Sequence, residues 1–131
     1  MNATGTRGEL LVAEKLIKLG FHVSIPLDET QFDLICTLKE KSHRIQVKCT
    51  GGIEKAKRPN SNPRYNFNLS RGNSRKISYT HADCDFIICL AMDSSRYWII
   101  PVEEIDIKIL KIPANGSSKY CKYEYRWDLI S

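Results

Sequence analysis

The chain has 131 residues, of which 42% are hydrophobic, 27% charged and 9% aromatic, a composition that fits one soluble domain with a modest core better than two. Lys and Arg number 20 against 15 Asp and Glu, giving a net charge of +5 that suits an anionic partner. No apolar run approaches the roughly 18 to 20 residues that span a bilayer, and no charged-then-apolar leader opens the sequence, so the expectation is a cytoplasmic protein with no membrane association.

A helix is expected to begin near Thr6, because Thr6-Arg7-Gly8-Glu9 has the form of a capping box. Apolar residues then recur at Leu10, Ala13, Leu16 and Ile17, and Gly20 supplies a stop. Short β-type runs follow at Phe21 to Ile25, Phe32 to Leu38 and Arg44 to Thr50. The polar stretch Lys39-Glu40-Lys41-Ser42 joins the last two as a hairpin, and Gly51-Gly52 ends the third. Tyr65, Phe67 and Leu69 alternate with Asn66 and Asn68, the pattern of a strand with one wet face. Asp85 to Ala91 and Arg96 to Ile100 are nearly continuous apolar runs around Asp93-Ser94-Ser95, which predicts a second hairpin lying deep in a sheet and closed by Pro101. Val102 to Ile105 reads as a short helical turn and Ile107 to Ile112 as an edge strand. After the loop Asn115 to Ser118 comes an aromatic tail, Tyr120 to Trp127, expected to cover the core or meet another subunit. One helix and a mostly antiparallel sheet make a single α/β or α+β domain over residues 1–131.

The five cysteines (Cys36, Cys49, Cys84, Cys89, Cys121) contain no C-x-x-C pattern and mostly sit in apolar runs, so reduced thiols are expected rather than disulfides or zinc ligands. Charge is far from evenly spread. Residues 51–76 hold seven basic residues (Lys55, Lys57, Arg58, Arg64, Arg71, Arg75, Lys76) and one acid, Glu54, or +6. The other 13 basic and 14 acidic residues leave −1 for the rest of the chain.

The constellation with chemical content is Glu9, Asp33, Gln46 and Lys48. Strand alternation sends Gln46 and Lys48 to one face with Arg44, and Ile45, Val47 and Cys49 to the other. If the turn is Glu40-Lys41, antiparallel pairing sets Asp33 opposite Lys48. A carboxylate, an amide oxygen and an ammonium then share one patch, which suits Mg²⁺ because that ion takes oxygen ligands and keeps several waters. The plainer reading of Asp33 and Lys48 is a cross-strand ion pair, worth about 0.2–1 kcal/mol. Glu9 has a plainer reading too, as the closing residue of the capping box. Composition and spacing allow a metal site without establishing one. His81, Asp83, Cys84 and Asp85 crowd together before a buried strand, where turn bonds and capping explain them better than a metal; His22 and His43 read as surface or hydrogen-bonded histidines.

Glu9 on a first helix, Asp33-Leu34-Ile35 in a hairpin and Gln46-Val47-Lys48 on its return strand resemble the PD-(D/E)XK nuclease superfamily. More narrowly, the glutamine at 46 is similar to the group I intron-associated (homing) endonucleases, where it replaces the usual acid two residues before the lysine. Archaeal Holliday junction resolvases share the same scaffold. The similarity covers roughly residues 5 to 105, and Phe32 stands where the wider pattern has proline. The resemblance implies a restriction-endonuclease-like core, with the N-terminal helix packed on a mixed, mostly antiparallel sheet. It also implies a metal-dependent DNA endonuclease in which Glu9, Asp33 and Gln46 organise Mg²⁺, with Mn²⁺ as a substitute, and Lys48 orients or activates water.

Double-stranded DNA is the implied substrate, held by Lys55, Lys57, Arg58, Arg64, Asn66, Asn68, Arg71, Arg75 and Lys76, since cations neutralise phosphates and Arg and Asn match guanine and adenine edges. Cutting both strands with one site per chain calls for a homo-oligomer, a dimer or a dimer of dimers, through Tyr120 to Trp127 or Ile107 to Ile112. The alternatives are a junction-selective nuclease, or a DNA-binding module in which Gln46 has cost the chain its catalysis.

Overall fold

The computed structural model describes residues 3–54, 62–72 and 74–131. Helix α1 runs over Ala3–Lys18 and Gly20 adopts φ 98° just after it, as a glycine stop does. The helix begins three residues earlier than expected, so Thr6 lies inside it and is not its N-cap. Its buried face is Gly8, Val12, Ala13 and Leu16. Leu10 and Ile17 are 59% and 60% exposed, because the row Gly8, Val12, Leu16, four residues apart, is the one laid on the sheet.

Strands β1 (His22–Ser24), β2 (Leu34–Leu38) and β3 (Lys41–Thr50) follow the expected runs. Next come β4 (Arg64–Asn68), the short β5 (Ser70–Arg71) and β6 (Ile77–Ser78), then β7 (Phe86–Ala91), β8 (Arg96–Pro101) and β9 (Ile109–Pro113). The main sheet has the order β1-β2-β3-β7-β8. Only β3 and β7 are parallel within it, in register from Ile45↔Phe86 to Thr50↔Ala91. Strands β4 and β9 make a second sheet, and β5 pairs with β6.

The β2–β3 turn falls one residue earlier than expected. Leu38 pairs with Lys41, which leaves Lys39 and Glu40 as the turn with φ 52° and 59°, the left-handed pair that two-residue hairpins use. Moving the turn back by one residue moves the register by two. The last ladder pair is therefore Leu34↔Ile45, and Asp33 stands beside Ile45 to Val47 instead of opposite Lys48.

Both faces of the main sheet are covered. Val12 and Leu16 of α1 pack on Ile45, Val47, Ile88, Leu90 and Ile99. On the opposite face Ile87, Cys89, Trp98 and Ile100 meet Tyr65, Phe67, Leu110 and Ile112 of the β4–β9 sheet. Burial on two sides is what the continuous apolar runs of β7 and β8 reflect. Strand β8 is an edge by pairing order, yet Tyr97 to Ile100 are buried because the tail closes over them. Tyr120 and Tyr123 belong to the core, Trp98 bridges to Glu124, and Arg96 grips Glu124 at 2.7 and 2.9 Å. Most of the tail is thus core cover. All five cysteines are free, and no helix among the described residues is long and apolar enough to cross a membrane.

Candidate active site

Because β2 stops at Leu34, the second half of β3 has β7 on one side and no β2 partner on the other. Asp33 sits at that step. Its N–H donates to the Ile45 carbonyl at 2.8 Å, and its Oδ2 accepts the Val47 N–H at 2.9 Å, so the carboxylate takes over the ladder where the strand ends.

Helix α1 delivers Glu9 to the same edge. A β-carbon on Gly8 would lie 2.4 Å from Cys49 Sγ and 2.7 Å from Cys49 Cβ, so only glycine lets the helix approach β3 this closely. Glu9 and Asp33 hydrogen-bond to each other, and both pKa values are raised. For Glu9 burial is the main cause, followed by the Asp33 charge and the shared hydrogen bond. For Asp33 burial outweighs the Val47 N–H, the Glu9 hydrogen bond and the Lys48 charge, all of which pull the other way. Two carboxylates facing each other in a half-buried edge are a site short of positive charge.

Lys48 lies on the face opposite α1, in register with Cys89. Burial lowers its pKa against the opposing pull of Asp33. Its Nζ donates to the Ser70 carbonyl at 3.3 Å and stands 5.1 Å from the centre of the Tyr79 ring. Gln46 is half-buried, and its Nε2 donates to the Val47 carbonyl at 3.4 Å. Thr4, Gly5, Glu9, Val47, Lys48 and Cys49 line a hollow of about 210 Å³. A larger hollow of about 270 Å³ between α1 and β8, lined by Leu11, Glu14, Lys15, Lys18, Ser95 and Tyr97, touches none of the four residues and has no comparable carboxylate pair.

The donors at this edge fit a hard divalent cation. Glu9 and Asp33 offer carboxylate oxygens and Gln46 an amide oxygen, the ligand type Mg²⁺ and Mn²⁺ accept. No group of three or more His, Cys, Asp and Glu among the described residues is placed to hold a metal ion, and the side-chain amide of Gln46 is a further oxygen donor on β3.

Of the basic segment, Lys55, Lys57 and Arg58 lie outside the described residues. Arg64, Asn66 and Asn68 do share the exposed face of β4, with Tyr65 and Phe67 buried behind them. Several of these groups have work inside the chain. Asn66 Nδ2 donates to Glu54 Oε2 at 2.9 Å, and Asn68 Oδ1 accepts both the N–H and the hydroxyl of Ser70 at 3.1 and 2.7 Å. Arg71 pairs with the buried Asp83 at 3.5 Å, Lys76 donates to the Gly72 carbonyl at 3.1 Å, and Arg75 is exposed. Lys111, opposite Asn66 on β9, joins the outer face of the second sheet. The alternation of Ile109 to Ile112 hints at its exposure, but its neighbours come from a long-range pairing that no local pattern reveals. The contacts of Ser70 and Tyr79 with Lys48 and the close approach at Gly8 likewise come from long-range packing.

The cluster before β7 is structural. Asp83 caps its turn by accepting the Thr80 N–H at 2.9 Å, and Asp85 accepts the backbone and guanidinium of Arg44 at 2.8 and 3.1 Å. His43 stacks edge-on against Phe86 at 5.2 Å.

Helix α1 thus lies on a mixed sheet with Glu9 and Asp33 facing each other at the open edge of β3 and Lys48 close to Asp33. The chain belongs to the PD-(D/E)XK endonuclease family, whose model matches residues 1–129; members of that family generally use divalent metals. Among solved structures it is similar to a bacterial homing endonuclease, I-Ssp6803I, with a TM-score of 0.77 and 20% sequence identity over 97% of this chain and 90% of that one. No curated protein sequence matches it.

Proposed function

We propose that the protein is a Mg²⁺-dependent DNA endonuclease of the homing type, with Mn²⁺ able to substitute. The observation that carries this reading is the meeting of Glu9, Asp33 and Lys48 at the unpaired edge of β3, with Gln46 beside them. Glu9, Asp33 and the amide oxygen of Gln46 would hold the cation. When bound, the metal would supply Lewis-acid stabilisation of the scissile phosphate and lower the pKa of attacking water.

The chain's own residues do the rest. Asp33 is fixed by Val47 N–H, so one carboxylate is set before any ligand arrives and little reorganisation is needed. Burial of the Glu9 and Asp33 carboxylates side by side, the main cause of both raised pKa values, readies the pair to accept positive charge. Lys48 places its ammonium where water or a phosphate oxygen gains negative charge during in-line attack. Gln46 removes one negative charge relative to an acid at that position, yet leaves an oxygen donor, so catalysis is retained.

Arg64, Arg75, Lys76 and Lys111 are the cations of the described part that best suit phosphate contact, with Asn66 on the same face as Arg64. Lys55, Lys57 and Arg58 belong to the same basic segment. Arg71 and Asn68, expected as DNA contacts, also support the fold, Arg71 through Asp83 and Asn68 through Ser70. A homo-oligomer follows from one site per chain. Its contacts fall to Ile107 and Ile109, which are exposed, and to Tyr125 and Arg126, because Tyr120 and Tyr123 are buried within the chain.

The test is nicking of supercoiled plasmid with Mg²⁺, compared with EDTA and with Lys48→Ala and Asp33→Ala. Mg²⁺-dependent nicking that both substitutions abolish supports the reading. Nicking unaffected by either removes the site, and binding without nicking on any DNA leaves a binding module.

A further inference from the structure

The four residues already assigned leave unexplained how Lys48 is aimed. Its Nζ is held from two directions by groups outside β3. The Ser70 carbonyl accepts from it at 3.3 Å, and the Tyr79 ring lies 5.1 Å away, centre to nitrogen. Both holders are rigid. Ser70 is 2% exposed, pairs with Ser78 across β5–β6 and is fixed by Asn68 through two hydrogen bonds. Tyr79 follows Ser78 directly, is 8% exposed and packs into the core beneath the second sheet.

We propose that Tyr79 is a positioning residue that acts through Lys48: its ring face and the Ser70 carbonyl form a socket that holds the ammonium at the open edge of β3. An ammonium on a flexible four-carbon stem has many rotamers, and a ring face within about 6 Å attracts it through the ring quadrupole while leaving its N–H donors free. The carbonyl takes one N–H and the ring takes none, so two donors remain for water or a phosphate oxygen. The hydroxyl is not needed for this, and phenylalanine should serve as well. The same socket gives Asn68 its role: it holds the Ser70 carbonyl in place, one step removed from the lysine. The inference rests on the reading of Lys48 as a catalytic group.

The experiment measures single-turnover plasmid cleavage with saturating Mg²⁺, with DNA affinity and thermal midpoint recorded for each protein. The variants are Tyr79→Phe, phenylalanines of increasing ring fluorination at 79, Tyr79→Leu, Lys48→Ala and the double variant Lys48→Ala/Tyr79→Leu. Fluorination drains the ring face of negative potential and nearly preserves shape, so it separates the attraction from packing.

The socket predicts that Tyr79→Phe cleaves at the wild-type rate and that the rate falls steadily with fluorination. The total loss should be about 2- to 30-fold, the range a cation–ring contact supports, with affinity and midpoint unchanged. Tyr79→Leu should lose rate alone but add nothing once Lys48 is gone. A slow Tyr79→Phe, or a rate indifferent to fluorination, overturns the proposal, and the fluorinated series decides even if Tyr79→Leu does not fold. If Lys48→Ala itself cleaves normally, the reading of Lys48 fails first; if Lys48→Ala is inactive and fluorination has no effect, the socket alone fails.

Discussion

Gly8→Ala should damage the site far more than it damages the fold. In an isolated helix the change would gain about 0.5–1 kcal/mol, because glycine loses the most backbone entropy on folding. Here the new methyl would sit 2.4 Å from Cys49 Sγ and 2.7 Å from its Cβ, where carbon contacts normally lie at about 3.5–4.0 Å. The sulfur can turn away, but the Cβ is fixed to β3, so α1 must lift by about 1 Å. Overpacking of this kind costs about 1–3 kcal/mol, which after the helix gain leaves a net loss of about 0–2.5 kcal/mol and a melting midpoint lower by about 4 °C per kcal/mol. Glu9 is the next residue on the lifted helix. A displacement near 1 Å at a reacting centre can cost about 100-fold in rate, so cleavage should collapse while most of the stability survives. Plasmid cleavage and thermal unfolding read the two effects separately. Cys49→Gly on the Gly8→Ala background removes both contacts and should restore cleavage, whereas Cys49→Ala keeps the Cβ and should not. A Gly8→Ala protein that cuts at the wild-type rate with an equal or higher midpoint refutes the claim that close approach places Glu9.

The raised pKa values of Glu9 and Asp33 set a sign for pH. Without metal the folded state holds more protons than the unfolded one, so this contribution is greatest below the unfolded values and is lost as pH rises through the folded ones. Metal binding should therefore weaken as pH falls through the raised values and should release protons, seen as a buffer-dependent heat in calorimetry; a heat independent of buffer would contradict it. Glu9→Gln should raise the metal-free midpoint at pH 7, because it removes one of two crowded charges, and should abolish cleavage; a lower midpoint would show that the carboxylates do not repel. Arg64→Ala and Lys111→Ala should each weaken DNA binding and reduce the salt dependence of log K by about 1. Arg71→Ala should instead lower the midpoint by leaving the buried Asp83 without its cation, at about 1–3 kcal/mol, and an altered salt slope with an unchanged midpoint would return Arg71 to the DNA surface.

Sequence pattern carried the fold well wherever burial follows a local period. The alternation in β4 placed Arg64 and Asn66 outside and Tyr65 and Phe67 inside, and the continuous runs of β7 and β8 announced two covered faces. It failed where a choice depends on a partner elsewhere in the chain. Leu10 and Ile17 fit a helical stripe as well as Val12 and Leu16 do, and the packing of Gly8, Val12 and Leu16 on distant strands decides which row faces the sheet. The turn at Lys39-Glu40 needs two left-handed residues that are not glycine or asparagine, so local turn chemistry pointed one residue too far and misplaced Asp33 by two. Glu9, Asp33, Gln46 and Lys48 stood out through a family resemblance, since spacing alone allowed the cluster without establishing it; the structure puts Glu9 beside Asp33 and Asp33 near Lys48. Tyr79 and Lys111 did not stand out, because the contacts that give them meaning join β3 to the end of β6 and β4 to β9.

Single-turnover cleavage of supercoiled plasmid across a Mg²⁺ titration, with wild type beside the near-isosteric Asp33→Asn, tests most directly that this strand edge is a metal-dependent nuclease site. The account predicts saturable, Mg²⁺-dependent cleavage by wild type and a loss of about 100-fold or more in Asp33→Asn, with DNA affinity retained. Equal cleavage by the two proteins, or cleavage by wild type that persists in EDTA, would contradict it.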